Sequence, residues 1–171
     1  MPSCRPDVIS PILYKVMEMA RANKPRLNTV LDVGAGCGKW GCLLTEYMRY
    51  WTGYAPEIDA VEPHTQYNTP AYGFYRNVFR TNVIDMLDDL KNYDLMFAID
   101  VIEHMTREDG VRLLAAAGPR YIVCTPGYWS PQGTVFGNKL EKHISRWYES
   151  DFANATTVVN QAGRSHIIGW R

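Results

Sequence analysis

Side chains able to move a proton occur in two stretches of this 171-residue chain. The first is Asp100-Val101-Ile102-Glu103-His104. The second surrounds His143, between Asn138 and Tyr148. A hydroxyl or amine nucleophile needs a proton acceptor, and an imidazole titrates near neutral pH. His104 and His143 are therefore the candidate general bases, with Glu103 beside the first of them. The plain alternatives are structural: His104 caps the helix that follows, and His143 anchors its loop. His64 and His166 look ordinary.

A second kind of chemistry is written in Val30-Leu31-Asp32-Val33-Gly34-Ala35-Gly36-Cys37-Gly38-Lys39-Trp40-Gly41. A short apolar strand runs into alternate glycines and then into a helix. Glycines allow the tight turn and a close approach of backbone to ligand. The helix start offers free N–H groups and a partial positive charge. Gly36-x-Gly38-x-x-Gly41 satisfies the dinucleotide fingerprint literally. In the register set by the strand, however, that fingerprint begins at Gly34, and its third glycine falls on Lys39. The pattern that fits is acidic-x-Gly-x-Gly-x-Gly, met by Asp32, Gly34, Gly36 and Gly38.

That pattern resembles the first motif of the class I S-adenosylmethionine-dependent methyltransferases. The resemblance continues in order through Ile58-Asp59-Ala60-Val61-Glu62, Thr81-Asn82-Val83-Ile84-Asp85 and Tyr93 to His104. The Asp-Val-Ile-Glu-His ending is similar to that of the ubiquinone-biosynthesis-type small-molecule enzymes. The resemblance implies S-adenosyl-L-methionine as cofactor. It implies contacts along Gly34, Ala35, Gly36, Gly38 and Trp40, with Asp32 ordering loop amides or reaching the cofactor's amino end. It implies ribose hydroxyls on Glu62, whose carboxylate offers acceptors only. It places the adenine at Asn82, Val83 and Asp85, with Asn82 where the family often has Asp, and it adds Asp100 to the cofactor set. The implied reaction is O-methylation of a small metabolite, sugar or lipid-linked precursor.

Asp100, Glu103, His104 and a later His143 are also similar to the acid-x-x-Glu-His arrangement of the small-RNA 3′-terminal 2′-O-methyltransferases. Two carboxylates and two imidazoles could ligate magnesium, manganese or zinc. The first acid here is the shorter Asp, so no metal is assigned and a divalent ion is the less favoured reading. A metal-assisted RNA ribose methyltransferase is one alternative, and a non-catalytic cofactor-binding subunit is another. There is no Asn/Asp-Pro-Pro-Tyr motif of the kind used on DNA bases.

The elements that must position these residues follow from periodicity. Apolar residues from Val8 to Ala20 keep helical spacing, as do Trp40, Leu43, Leu44, Tyr47, Met48 and Trp51. Asn23 to Asn28, with Pro25, reads as a loop. Short apolar runs at Thr29–Val33, Ile58–Val61, Tyr93–Ile99 and Tyr121–Cys124 read as buried strands, with a weaker one at Asn77–Thr81. Pro63–Tyr75 reads as irregular, Asp85–Lys91 as a short helix, and Arg107–Ala117 as a helix ended by Gly118-Pro119. Thr156–Val159 and His166–Trp170 flank Gln161-Ala162-Gly163 and read as a hairpin. Alternation of strands and helices predicts an α/β, Rossmann-like, doubly wound, mostly parallel sheet ending in an antiparallel hairpin strand. In such a sheet, ligands bind outside the carboxyl ends of the strands. The part of the long Gly127–Ser150 stretch from Gly127 to Tyr148 is then the substrate region. Tyr128, Trp129, Phe136 and Trp147 argue that it is ordered, as an aromatic lid or an aromatic core patch. Ser145 is expected to cap a short helix through Phe152.

Composition sets the bounds. The length fits one domain, residues 1–171. Lys plus Arg and Asp plus Glu are both 18, so the net charge is zero. The broad electrostatic term of non-specific nucleic-acid binding is absent, and a small-molecule acceptor is the expected partner. No C-x-x-C pair exists among Cys4, Cys37, Cys42 and Cys124, and buried thiols in a reducing compartment are expected. MPSCRPDVIS lacks the apolar run of a signal peptide, and no stretch is long enough to span a membrane. A cytoplasmic protein is expected, and no oligomeric state is indicated.

Overall fold

The computed structural model describes residues 5–22, 26–135, 137–160 and 163–171. Cys4, Asn23 to Pro25, Phe136 and the Gln161-Ala162 turn signal lie outside the described residues. Helix α1 spans Pro6–Ala22 and buries Val8, Ile12, Leu13, Val16 and Met17, the stripe its spacing predicts. Strand β1 (Thr29–Val33) runs into the glycine turn and helix α2 (Lys39–Thr52). Strands β2 (Glu57–Val61), β3 (Asn77–Phe79), β4 (Leu95–Ile99) and β5 (Tyr121–Pro126) follow, with helix α3 (Arg107–Ala116) between the last two. Strands β6 (Asn154–Val159) and β7 (Ser165–Trp170) close the chain.

The seven strands form one sheet in the order β3-β2-β1-β4-β5-β7-β6. β1 to β5 pair in parallel; β7 is antiparallel to β5 and β6 to β7. The fold matches the sequence expectation. β1 and β4 are buried along almost their whole length, as central strands covered on both faces must be. Two cores result. One holds α1 and α2 side chains such as Ile12, Trp40 and Leu44 against Phe97 and Cys124; the other holds Leu113 and Trp147 against Met96 and Val123. The Cys124 side chain is buried, and Cys37 and Cys42 are half-buried. No helix among the described residues is long and apolar enough to cross a membrane.

Three local expectations are corrected. The segment expected as a helix over Asp85–Lys91 is a 3-10 stretch, Val83–Asn92, with a non-helical break at Met86. Helix α3 is capped by Thr106, whose Oγ1 accepts from Asp109 N at 3.1 Å, so His104 is no cap. Ser145 caps no helix either. It is buried, donates to the Ile102 carbonyl at 3.0 Å and accepts from Trp147 Nε1 at 2.9 Å. The short turn Glu149–Asp151 is held instead by Tyr148 N donating to Asp151 Oδ2 at 2.7 Å.

Trp147 is core and not lid. It is 1% exposed, whereas Trp129 is 49% exposed. Its indole lies on α3 at Gly110, where a Cβ would come within 2.2 Å of the ring. This contact docks the end of the 127–148 segment beside the site. An alanine at an ordinary helix interior position stabilises, but overpacking costs about 1–3 kcal/mol and outweighs the helix gain of under about 1 kcal/mol. Gly110→Ala should therefore lower the melting temperature; a rise would show that Trp147 yields freely.

Candidate functional site

The carboxyl ends of β1, β2, β4 and β5 open into one cleft of about 330 Å³. Its floor is the turn after β1. Gly34 N and Ala35 N donate to the Val61 carbonyl at 2.8 and 3.2 Å, which folds the turn over the end of β2. Gly34 has φ +68°, and a Cβ there would lie 2.6 Å from Val101 Cγ2. Gly36 has φ +56°, and its N–H donates to Glu62 Oε2 at 2.8 Å. The turn thus needs glycine for conformation at one position and for space as well at the other.

Glu62 is 6% exposed and lines the cleft, so it is no solvated loop acid. Its other oxygen accepts from His64 N at 2.8 Å. Burial pushes its carboxyl up, and the two backbone donors pull against that. Each oxygen keeps a lone pair free of these bonds. Asn82 and Val83 line the same side. Asn82 Oδ1 accepts from Ile84 N at 3.1 Å, while Asp85 is exposed and off the cleft wall. Of the two adenine candidates, the structure brings Asn82 to the site and not Asp85.

Asp32 does not line the cleft. It sits behind the turn, 1% exposed, and accepts from Tyr75 Oη at 2.6 Å. The same hydroxyl accepts from Gly41 N at 3.0 Å at the start of α2. Asp32 therefore orders the loop through Tyr75, a residue that sequence reasoning left in an irregular segment. Gly38 also lies off the wall; it is the left-handed residue ahead of α2, and its N–H donates to the Ala35 carbonyl at 2.8 Å. Ala35 and Trp40 line the cleft, and Trp40 packs edge-on against Phe97 at 4.9 Å.

At the end of β4, Asp100 has φ +55° and is the one non-glycine residue with positive φ among the described residues. Such strain concentrates where function requires it. Its N–H donates to the Cys124 carbonyl at 2.8 Å, while its Oδ1 is buried without a partner. Glu103 is 3% exposed; Oε2 accepts from Thr125 Oγ1 at 3.0 Å, and Oε1 is buried without a partner. Burial pushes both carboxyls up, and Asp100 pushes Glu103 further, so the pair retains a proton well above the ordinary carboxylate range.

His104 and His143 meet here, with ring centroids 4.8 Å apart. Burial holds both below the ordinary imidazole value, so both are neutral near pH 7. His143 Nδ1 contacts the Ser130 carbonyl, and its backbone N–H donates to the Gln132 carbonyl at 3.1 Å. Because a carbonyl only accepts, Nδ1 carries the proton and Nε2 is left as an acceptor. The backbone of the next residues is tied down in turn: Ile144 N and Ser145 N donate to the Glu103 carbonyl at 2.8 and 3.1 Å. Glu103, His104 and His143 also offer ligand atoms within 4.8 Å of one another, so the three expected catalytic residues come together. Sequence reasoning missed Glu141 and Tyr67, which hold the segment from the other side. Tyr67 Oη donates to Glu141 Oε1 at 2.8 Å and accepts from Asn138 Nδ2 at 3.3 Å. Long-range pairs of this kind leave no local pattern.

Comparison with solved structures places this geometry. The citrinin polyketide synthase CMeT domain superposes with TM-score 0.67 at 12% identity, over 94% of this chain and 51% of that one, so the chain spans about half of its length. A SAM-dependent methyltransferase from Archaeoglobus fulgidus superposes with TM-score 0.60 at 13% identity, over 96% and 94% of the two chains. The chain has the class I methyltransferase fold. A third neighbour is the Burkholderia thailandensis 1,6-didemethyltoxoflavin-N1-methyltransferase, solved with bound 1,6-didemethyltoxoflavin and S-adenosylhomocysteine. It gives TM-score 0.60 at 17% identity over 97% of this chain and 76% of that one. No protein-family model and no curated protein matches the sequence.

The buried acid behind the turn gives a pH test. Burial, opposed by the Tyr75 hydroxyl, raises the Asp32 carboxyl from 3.8 to about 7. The folded chain then binds this proton more tightly than the unfolded chain. The resulting stability is full below about pH 4 and is lost as pH rises through about 7. The stability of wild type relative to Asp32→Asn should fall across that window by up to about 4 kcal/mol. Denaturant titrations from pH 4 to 8 measure it, and a difference that grows with pH would contradict the assignment.

Proposed function

We propose that the protein transfers the methyl group of S-adenosylmethionine to an oxygen of a small-molecule acceptor. One observation carries this reading: a glycine cradle lies between the buried Glu62 at the end of β2 and the half-buried Asp100 at the end of β4, whose Oδ1 is buried with no partner. A cofactor bearing ribose hydroxyls at one end and cationic centres at the other suits that donor set. Glu62 would accept from the ribose hydroxyls, with Gly34 to Gly36 leaving room for close backbone approach. Asn82 and Val83 would flank the adenine. Asp100, with Lys39 nearby to balance it, would face the cationic end.

When bound, the cofactor supplies an electrophilic methyl group on a positively charged sulfur. The chain's own task is to hold an acceptor hydroxyl in line with that methyl group and to take its proton. His143 Nε2 is the group placed to do so: its tautomer is fixed by Ser130, and its burial keeps it unprotonated. His143 Nε2 would take the hydroxyl proton as the acceptor oxygen receives the methyl group that the cofactor would supply. The acceptor lies over β4 and β5, where Tyr128 and Gln132 also line the cleft.

A second reading is favoured by the cluster of Glu103, His104 and His143. Glu103 Oε1 and His104 Nδ1 are buried without partners, and together with His143 these residues offer three ligand atoms that fit a divalent ion. These residues would hold it, and it would acidify the acceptor hydroxyl.

Calorimetry separates the methyltransferase reading from the dinucleotide one. S-adenosylhomocysteine should bind and NAD should not; Glu62→Ala should weaken binding by about 1–3 kcal/mol. NAD binding without a response to S-adenosylhomocysteine would overturn the proposal. Transfer of a labelled methyl group to extract fractions identifies an acceptor for turnover. With it, His143→Ala should lower turnover about 10²–10⁴-fold at near-normal cofactor affinity. Loss of activity with chelator, restored by a divalent ion and mimicked by Glu103→Gln, would select the metal reading. Normal turnover in His143→Ala would remove the histidine from both.

A further inference from the structure

The cleft has a third corner, away from both the glycine turn and the two neighbouring histidines. β7 runs antiparallel beside β5, with His166 opposite Pro126, so the start of β7 reaches the same sheet edge as the carboxyl ends of the parallel strands. The residue before α1 reaches it too. Arg5, Arg164 and His166 all line the cleft there. In the strand order, this corner lies on the β5–β7 side, opposite the β2–β3 side where Glu62, Asn82 and Val83 stand.

The corner is built and incompletely satisfied. His166 is 4% exposed, and its Nδ1 is buried without a partner. Arg5 Nε donates to Asp7 Oδ1 at 3.3 Å, and the terminal nitrogens of Arg5 pair with nothing among the described residues. The Arg164 side chain makes no ion pair among the described residues. Its backbone is fixed, with N donating to Asn160 Oδ1 at 2.9 Å and the carbonyl accepting from Asn160 N at 2.8 Å. Asp7 is the countercharge here, and its Oδ2 is also buried without a partner. Two guanidinium groups against one carboxylate leave a net positive corner. The rest of the cleft is its opposite, with Asp100, Glu103 and Glu141 in the middle and Glu62 on the far side, against the single Lys39.

We propose that the methyl acceptor carries an anionic oxygen group, a carboxylate or a phosphate, bound by Arg5, Arg164 and His166. This deepens the function proposed above and rests on it for the reacting hydroxyl. Guanidinium forks match the oxygens of either anion, and a neutral His166 can donate one further hydrogen bond from Nδ1. The charge pattern also orients the acceptor. Its anion is repelled from the acid-lined middle and held at the β7 corner, which leaves the hydroxyl facing His143.

Proton NMR of the His166 imidazole, assigned with His166→Asn, tests this. The protein is titrated with inorganic phosphate and, separately, with acetate, each with and without S-adenosylhomocysteine and against a chloride control. A saturable shift with at least one of the two anions and none with chloride is expected. Phosphate alone would point to a phosphate ester, acetate alone to a carboxylic acid. Arg5→Gln and Arg164→Gln should each raise the dissociation constant about tenfold, at unchanged melting temperature and S-adenosylhomocysteine affinity. A His166 signal that neither anion moves, or that responds equally in the two variants, overturns the proposal. The titration without S-adenosylhomocysteine keeps the two claims apart: an anion response without cofactor binding would leave the corner standing and remove the methyltransferase reading.

Discussion

The structure turns on carboxylates buried at the carboxyl edge of the sheet and on how each is compensated. Taking an ionised carboxyl out of water is costly unless donors replace the water. Asp59, in the middle of β2, shows full compensation. It receives hydrogen bonds from Arg76 Nε at 3.0 Å and Nη2 at 2.6 Å, Asn77 Nδ2 at 3.0 Å and Tyr93 Oη at 2.9 Å. Burial would raise it, yet these donors hold it below the ordinary carboxylate value. Asp32 and Glu62 have fewer donors, and those are spent on shaping the glycine turn. Asp100 and Glu103 each keep a buried oxygen with none. The gradient from satisfied to unsatisfied runs toward the cleft, and a buried acid that lacks donors is where a cationic ligand gains most.

The rest of the fold serves that edge. The turn after β1 is folded over β2 by the Val61 carbonyl, and it is braced from behind by Asp32 through Tyr75. The segment after β5 is carried across the end of β4 by two N–H groups on the Glu103 carbonyl and by Trp147 against α3. His143 is therefore placed by backbone bonds on both sides. Its tautomer follows from one carbonyl, and its proton-accepting nitrogen is a consequence of packing rather than of any neighbouring charge. The antiparallel return of β7 brings a third set of side chains to the same edge, of opposite sign to the first.

Much of the framework was legible in the sequence because it is local. The β1 run from Thr29 to Val33, the stripe of α1 and the glycine spacing each report a period or a conformation that neighbouring residues impose on one another. The positions of Glu62 and of the pair Glu103 and His104 follow directly, since strand ends fall at the carboxyl edge of a parallel sheet. What was hidden depends on distant partners. Asp32 reads as either a loop-ordering acid or a cofactor contact until Tyr75, 43 residues on, is seen donating to its Oδ2. Ser145 reads as a helix cap until Trp147 and Ile102 claim its hydroxyl. His166 reads as ordinary because its surroundings, Arg5 and Arg164, come from opposite ends of the chain.

Under the proposed function, the unsatisfied acids at the end of β4 receive the cationic end of the cofactor. Near neutral pH, Asp100 and Glu103 together retain a proton that a bound positive charge would expel. Calorimetry of S-adenosylmethionine binding near pH 7, repeated in buffers of different ionisation enthalpy, counts that proton. Net proton release is predicted, reduced in Asp100→Asn. Binding with no proton exchange, or with uptake, would contradict it.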